Sequence, residues 1–309
     1  MEPLMRAVVT MGILVFAGKM LAGAMRALRL PSILGDLLAG VILSPYALGG
    51  GIVIFGEPLI VINDHVMAFA EIGVIMLLFA AGIEMGLTSL KRAGPIAGAV
   101  ALSGGLVPYA ASFLLYSAAG KSRVAALIAS TVFMATGVAI TIETMREIGL
   151  LESAMGELLV NAAVINDILV LSSMGIVLGA VESKIPISLG YAVTRGAVFL
   201  AAWLMVLAAA TFLIPPIVKQ AAKVGARGAA ETVAVSLCFI TSAGAAALGL
   251  SPLLGAYAAG LAVGESKAEV EQFVDHLRLM FGSLFFTYVG TLVDARLFLE
   301  PAVIATTLA

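Results

Sequence analysis

Residues 30–40 read Leu-Pro-Ser-Ile-Leu-Gly-Asp-Leu-Leu-Ala-Gly, and residues 250–260 read Leu-Ser-Pro-Leu-Leu-Gly-Ala-Tyr-Ala-Ala-Gly. Five positions recur at an offset of 220: Leu30, Leu34, Gly35, Ala39 and Gly40. A second pair of similar segments follows in the same order. These are the apolar runs 76–82 and 284–290, which both end in glycine. Because two segments recur in the same order, the sequence indicates an internal repeat. The alternative is that helices rich in Gly, Ala and Leu resemble one another by chance.

The chain is too apolar for a water-soluble domain. Of its 309 residues, 61% are hydrophobic and 12% are charged, with a mean hydropathy of +1.13. Soluble domains carry about a quarter charged residues, so the bilayer must be the solvent and membrane lipid is a predicted partner. A net charge of −2 gives no basic surface for nucleic acid. The single cysteine, Cys238, excludes a disulfide framework.

About twenty apolar residues cross a bilayer as a helix. Such spans are predicted at 7–28, 32–48, 66–87, 93–117, 124–144, 156–180, 187–214, 229–249, 251–264 and 279–293, and a further apolar stretch starts at Pro301. The spans 32–48 and 251–264 are short, which is typical of secondary transporters. The sequence therefore predicts an all-α, polytopic membrane protein.

The basic residues of the connections are distributed unevenly between the two sides of the membrane. One side collects ten of them: Arg26, Arg29, Lys91, Arg92, Arg146, Lys219, Lys223, Arg227, Lys267 and Arg278. The other collects five: Arg6, Lys121, Arg123, Lys184 and Arg296. The positive-inside bias places the first set in the cytoplasm and the N-terminus outside. By the same count, the two repeat copies start on opposite sides, as an inverted-topology repeat requires.

Asp167 alone is predicted at the middle of a span, where a charge is costly and marks a functional site. Glu71 lies about one and a half turns into its span. Other acidic residues are predicted near span ends: Asp36, Glu84 and Glu157. The alternative for Asp167 is an ion pair with Lys19 or Arg195, the two basic residues inside spans.

Residues whose oxygens could coordinate a cation are found next to Asp167 and in a segment about 31 residues before it. Asn166 precedes Asp167, while Asn161 lies only partly on the same helical face. The segment Met134-Ala-Thr-Gly-Val-Ala139 and Thr141 are weak helix formers whose hydroxyls compete for backbone groups. We therefore predict an extended break at Ala135–Gly137 that exposes carbonyls and the Thr136 hydroxyl. Oxygen ligands and one carboxylate suit a small hard cation. The alternative is a tight helix crossing that needs small residues.

The sequence offers little for an enzyme. Both histidines, His65 and His276, are predicted in connections, which excludes a buried Ser–His dyad. A second mid-span aspartate and a Walker-type glycine loop are absent. No cofactor is predicted.

Six segments together resemble the monovalent cation:proton antiporter superfamily, within the sodium/hydrogen exchangers and nearest their NapA/Kef-like branch. They are residues 30–45, 70–84, 135–137, 166–167, 249–260 and 284–290, which carry the repeat, Ala-Thr-Gly and Asn-Asp motifs. The resemblance implies an NhaA/NapA-like fold with inverted repeats and discontinuous crossing helices. The second crossing helix has no counterpart here, so the chain is expected to lack the last two or three helices. The break at Ala135–Gly137 is expected to be extended in the complete protein, and to be disordered or filled by another chain in a truncated form.

The resemblance also implies a site. Asp167 matches the family's ion-binding aspartate, for Na⁺ or K⁺ and H⁺ in turn, Asn166 matches its partner position, and Thr136 matches the threonine of the broken helix. Supporting positions are Ala135, Gly137, Thr141, Asn161 and Glu71. The Asn-Asp pair implies electroneutral exchange. Alternatives are a Kef-like potassium efflux system, a symporter with the same fold, or a membrane subunit or sensor that does not transport.

One transmembrane domain is expected over residues 1–309, in a multi-pass protein of the cell membrane, the inner membrane of a prokaryote. Its transport core is predicted at about 66–180 and 279–309, and its dimerisation part at about 1–48 and 187–264. The resemblance implies a homodimer. In the first span, the small residues that would allow close approach are Gly18, Ala22 and Gly23.

Overall fold

The computed structural model describes residues 2–54, 57–183, 189–224, 226, 228–264 and 271–296. These residues form eleven helices: α1 Pro3–Ala27, α2 Ser32–Ile42, α3 Leu48–Gly51, α4 Asp64–Ala118, α5 Arg123–Met134, α6 Val138–Glu147, α7 Ala154–Ser183, α8 Leu189–Lys223, α9 Ala229–Ala247, α10 Pro252–Val263 and α11 Glu271–Thr291. Two short strands, β1 Val53–Ile54 and β2 Glu57–Pro58, pair antiparallel. The predicted all-α architecture is confirmed.

Seven described segments are long and apolar enough to cross a membrane, and α2 and α10 are shorter apolar helices. The long α4 contains two of the seven, Asp64–Thr88 and Gly94–Ala118. Gly86 and Gly94, with φ of 62° and 49°, interrupt the helical backbone between them. Positive φ is accessible to glycine because it has no Cβ. The chain is therefore a multi-pass membrane protein, as predicted.

Two predicted spans are markedly shorter than the observed helices. Helix α8 continues to Lys223 instead of ending at 214, because an apolar face that includes the buried Val218 continues past Pro215 and Pro216. Helix α11 begins at Glu271 instead of 279. Its first turns carry charges on one face and buried Val274 and Leu277 on the other, a pattern that a hydropathy count misses.

The two histidines are not in connections. His65 is the second residue of α4, and His276 lies in the early part of α11. Both helices begin earlier than their apolar cores, so residues at their ends looked like loops in the sequence. The start of the predicted span 187–214, the apolar stretch from Pro301 and residues 297–309 of the predicted core lie outside the described residues.

The chain divides into two compact units, Met1–Leu77 with Asp275–Ala309, and Leu78–Val274. These units are defined by internal packing, whereas the predicted transport and dimerisation parts are defined by movement. The predicted division therefore stays a prediction.

Each unit contains a crossing of a short and a long helix at a pair of glycines. In the first unit, a Cβ added to Gly290 of α11 would lie 2.9 Å from the Cα of Gly40 in α2. In the second, a Cβ added to Gly260 of α10 would lie 2.8 Å from the Cα of Gly82 in α4. All four glycines belong to the repeated motifs of the sequence, and they make equivalent contacts. Backbones approach this closely only where side chains are absent.

The surroundings of the crossings repeat as well. Gly40 lies against the Thr287 carbonyl, as Gly260 lies against the Phe79 carbonyl. Gly35 packs on Ala22 of α1, as Gly255 packs on Ser242 of α9. The recurring residues of the sequence thus fix the same helix packing in both units.

Two expectations for the first unit are wrong. Asp36 is not near a span end, because it is the fifth of the eleven residues of α2 and is buried. The predicted span 32–48 was longer than the helix, which ends at Ile42 and shifts Asp36 towards its middle. Gly18 and Ala22 are not free for a dimer contact, because both are buried within the unit.

Candidate functional site

The span 123–147 is broken in its middle, as predicted, and the break is an ordered, extended segment in this chain, not the disordered one expected for a truncated form. Helix α5 ends at Met134 and α6 starts at Val138. Between them the backbone is extended, with φ −67° and ψ 130° at Ala135 and φ −74° and ψ 99° at Gly137. The last carbonyls of α5 and the first N–H groups of α6 have no intrahelical partner. The break therefore presents a partial negative charge from α5 beside a partial positive charge from α6.

Asn166 of α7 connects this break to the neighbouring helix. Its Nδ2 donates to the Met134 carbonyl over 2.8 Å and to Thr136 Oγ1 over 2.7 Å. The Asn166 side chain is buried, with 2% exposure. It satisfies a carbonyl that the end of α5 leaves free and fixes the rotamer of the threonine. The structure thus brings together two of the three predicted site residues.

Asp167 follows Asn166 on α7 and is partly buried. Within the described residues it has neither a hydrogen bond nor an ion pair. The alternative of an ion pair with Arg195 therefore finds no support in the described part of the chain. A carboxylate in this position, next to the amide that binds the break, has its oxygens available for an ion.

Gly105 packs against the candidate site, and the sequence does not predict this contact. It lies in the Gly94–Ala118 segment of α4, and a Cβ at this position would be 2.5 Å from Asn166 Oδ1 and 3.1 Å from Met134 Cε. A side chain here would displace the amide from the break. The signal was the pair Gly104-Gly105 within an apolar span, but nothing in the sequence indicates which neighbour requires the missing side chain.

For the cation site that the sequence predicts at the break, we expect Gly105→Ala to reduce ion affinity. Displaced by the new methyl group, Asn166 would lose two hydrogen bonds, each contributing about 1 kcal/mol. The apparent affinity for the cation should fall about tenfold or more. The matched control is Gly104→Ala, because no described atom lies within 4 Å of a Cβ there. Equal cation affinities of the two variants, measured by cation titration, would contradict the assigned contact.

A second polar contact joins α5 and α7 before the break. Thr131 Oγ1 and Ser173 Oγ are 2.9 Å apart, and Thr131 Oγ1 also donates to the Leu127 carbonyl over 3.0 Å. Thr131 is fully buried. This pair holds the intact half of the broken span against the helix that carries Asp167.

The supporting positions predicted from the sequence differ in their contacts. Thr141 Oγ1 donates to the Gly137 carbonyl over 3.0 Å and so closes the first turn of α6. Asn161 Nδ2 donates to the Glu157 carbonyl of its own helix over 2.7 Å. Glu71 is exposed on α4 and belongs to the other compact unit. Ala135, Thr136 and Gly137 form the exposed break itself.

Arg146 fixes the end of the second half-helix. Its guanidinium donates to Glu143 Oε2 over 2.6 Å and to Glu84 Oε2 of α4. All three side chains are partly buried. Helix α6 has only ten residues, and its connection to α5 is not helical. The ion pair between Arg146 and Glu84 holds this short helix against α4.

The profile of the transmembrane sodium/hydrogen exchanger family matches residues 12–309. A Na(+)/H(+) antiporter of Enterococcus hirae is 32% identical over 89% of this chain and 70% of its own length. The Na(+)/H(+)-K(+) antiporter GerN of Bacillus cereus is 26% identical over 84% of this chain and 65% of its own length. The chain thus spans about two thirds of the length of these relatives.

A solved structure shares the fold. It is the sodium proton antiporter MjNhaP1 from Methanocaldococcus jannaschii at pH 8, with a TM-score of 0.66 and 17% identity over 99% of this chain and 75% of that one. The broken helix and the repeated glycine crossings thus occur in a chain that the family profile matches over nearly its whole length. This protein belongs to the sodium/hydrogen exchanger family of membrane transporters.

Proposed function

We propose that this protein exchanges Na⁺ for H⁺ across the membrane, with Asp167 as the ion-binding carboxylate. The observation that carries the proposal is the break at Ala135–Gly137, held by Asn166 beside Asp167. Family membership and the similarity to Na⁺/H⁺ antiporters support it. Members of this family are transporters, and the exchange uses only the ions themselves, without a cofactor.

Asp167 binds either a proton or one Na⁺. The Thr136 hydroxyl and the carbonyls of the break are oxygen donors, which hard monovalent cations prefer over nitrogen or sulfur. Because the carboxylate is partly buried, one bound positive charge satisfies it and a second is repelled. Competition for one site is sufficient to couple the two ions when the site faces each side of the membrane in turn.

The experiment is an exchange assay in proteoliposomes that contain the purified protein and a pH-sensitive dye. An outward Na⁺ gradient should drive protons inward, and K⁺ should be tested in parallel. Potassium exchange that equals or exceeds sodium exchange would favour the potassium efflux alternative, for which one relative named as a Na(+)/H(+)-K(+) antiporter is the supporting observation. An absence of any cation-dependent proton movement would favour a membrane subunit or sensor that does not transport.

The exchange should be electroneutral. Asp167 is neutral with a proton and neutral with Na⁺, and Asn166 beside it carries no charge in either state. We therefore expect the exchange rate to stay the same when valinomycin and K⁺ clamp the membrane potential at different values. A rate that rises several-fold with the clamped potential would contradict a one-for-one exchange.

The protein is expected in the cell membrane of a prokaryote with its N-terminus outside, as the distribution of basic residues supports. A homodimer is the expected assembly. On α1 the exposed face contains Phe16 and Met20, 69% and 60% exposed, and Gly12 and Gly23, where a Cβ would meet no described atom within 4 Å. Cysteines at positions 16 and 20 should cross-link two copies in the membrane. Cross-linked material that runs only as a monomer would count against this face.

A further inference from the structure

The polar contacts of the two half-helices on either side of the break lead to different neighbours. Helix α5 is joined to α7 by the hydroxyls of Thr131 and Ser173, which are 2.9 Å apart. Helix α6 packs along α7 as well, but its Arg146 guanidinium donates to Glu84 Oε2 of α4. The geometry of the break therefore depends on contacts with two separate helices.

Helix α6 has little apolar surface with which to hold its position. Its buried residues are Val138 and Ile142, which both lie in its first half. In α5 the buried residues extend over most of the helix, from Ala126 to Met134. The extended backbone of the break also interrupts the helical hydrogen bonds between α5 and α6. The second half of α6 therefore depends more on polar contacts than on apolar packing.

The acceptor, Glu84, lies within the glycine crossing of α4 and α10. Two residues before Glu84, the Cα of Gly82 would lie 2.8 Å from a Cβ added to Gly260. Two residues after it, the Cα of Gly86 would lie 3.0 Å from a Cβ added to Gly264, which follows α10. Backbones in such close contact cannot shift against each other without a clash. Glu84 is therefore a fixed acceptor for the guanidinium of α6.

The ion pair is largely removed from solvent and suits the end of the helix that carries it. The side chains of Arg146 and Glu84 are 18% and 17% exposed, so salt screens their attraction less than that of a surface pair. Arg146 lies in the last turn of α6, where the partial charges of the terminal carbonyls stabilise a positive charge. Glu143 binds the same guanidinium over 2.6 Å. This second bond lies within α6 and does not connect it to α4.

A shift at the far end of α6 changes the break. Arg146 is eight residues after Val138, which is about 12 Å along a rigid helix. The first N–H groups of α6, next to Thr136, present the partial positive charge of this helix at the break. When the far end of α6 moves, these N–H groups tilt relative to the Thr136 hydroxyl and to Asp167. The electrostatic potential at the site changes with them.

We propose that Arg146 and Glu84 are positioning residues for the ion site. Their ion pair fixes α6 against the crossing of α4 and α10, and it thereby sets the cation affinity at the break without either side chain touching the ion. The inference rests on the proposed function, because a cation must bind at the break beside Asp167. The contact between Arg146 and Glu84 does not depend on that function, so the two can be tested separately.

The test removes the acceptor with Glu84→Met, which keeps the length of the side chain and leaves Arg146 bound to Glu143. Hydrogen exchange of the whole protein in lipid nanodiscs, followed by mass spectrometry, should show faster deuterium uptake in residues 138–147 and unchanged uptake in residues 123–134. In proteoliposomes, the Na⁺ concentration for half-maximal proton exchange should rise about fivefold or more. The maximal rate should stay close to that of the wild type.

Glu143→Met is the matched control, because it removes the other carboxylate and keeps the bond between the two helices. Deuterium uptake in residues 138–147 and the Na⁺ requirement should both remain at wild-type values. If Glu84→Met does not fold, the double variant Glu84→Met with Arg146→Met removes both charges of the pair. The same changes in uptake and in Na⁺ requirement are expected of it.

Equal uptake in residues 138–147 for the Glu84→Met and Glu143→Met variants would show that the ion pair does not fix α6, and would overturn the proposal. Faster uptake with an unchanged Na⁺ requirement would overturn the positioning role. A wild type without Na⁺-dependent proton movement would contradict the proposed function instead, and deuterium uptake would then decide alone whether the pair fixes α6.

Discussion

Asp167→Asn should abolish cation-dependent proton exchange while the protein still folds. The amide has nearly the shape of the carboxyl group, but it neither takes up a proton at physiological pH nor compensates a cation's charge. We expect the exchange rate in proteoliposomes to fall at least about a hundredfold, equivalent to about 2.8 kcal/mol. The size-exclusion profile and thermal stability should remain close to those of the wild type.

Glu231→Gln provides the matched control for the loss of one carboxylate. Glu231 lies in the first turn of α9, away from the broken helix in the sequence, and this variant should exchange ions at the wild-type rate. Exchange that persists in Asp167→Asn at more than a tenth of the wild-type rate would remove Asp167 from the mechanism.

Gly260→Ala adds only one methyl group, but we expect it to destabilise the protein strongly. The new Cβ would lie 2.8 Å from the Cα of Gly82, well below the 3.5–4.0 Å at which carbon atoms attract. Because the obstacles are backbone atoms, α10 and α4 must separate along their crossing. Overpacking of this kind costs about 1–3 kcal/mol, so we expect the Tm to fall by about 5 °C.

The control variant is expected to change the stability of the protein in the opposite direction. Gly244 lies in the last turn of α9, and a Cβ there would meet no described atom within 4 Å. Gly244→Ala should therefore raise stability by up to about 0.5 kcal/mol, because alanine loses less backbone entropy than glycine in a helix, an effect that is largest in the middle of a helix. Equal Tm values for the two variants would show that the glycine crossing does not limit stability.

The broken helix was predictable because its cause is local. Thr136, Gly137 and Thr141 are poor helix formers within one short segment, and the extended backbone appears where they predict it. The repeat was predictable for a similar reason. The glycines of the two motifs are required by backbone contact, and no other residue substitutes for them at that distance.

The contacts of Gly105 and Asp36 could not be predicted, because both depend on neighbours distant in the sequence. Gly105 makes room for Asn166, and Asp36 meets Ser283, which is 247 residues away. Nothing local distinguishes these residues from a packing glycine or an acid at the end of a span. The sequence predicts which helices form, but side-chain contacts between helices follow from how they cross.

Proton release on Na⁺ binding tests the central claim most directly. Na⁺ is added to the purified protein in weakly buffered solution near neutral pH, and released protons and bound Na⁺ are measured together. If both ions compete for Asp167, the wild type should release up to one proton for each Na⁺ bound, and Asp167→Asn should release none. Saturable Na⁺ binding without proton release, or the same release from Asp167→Asn, would contradict exchange at this carboxylate.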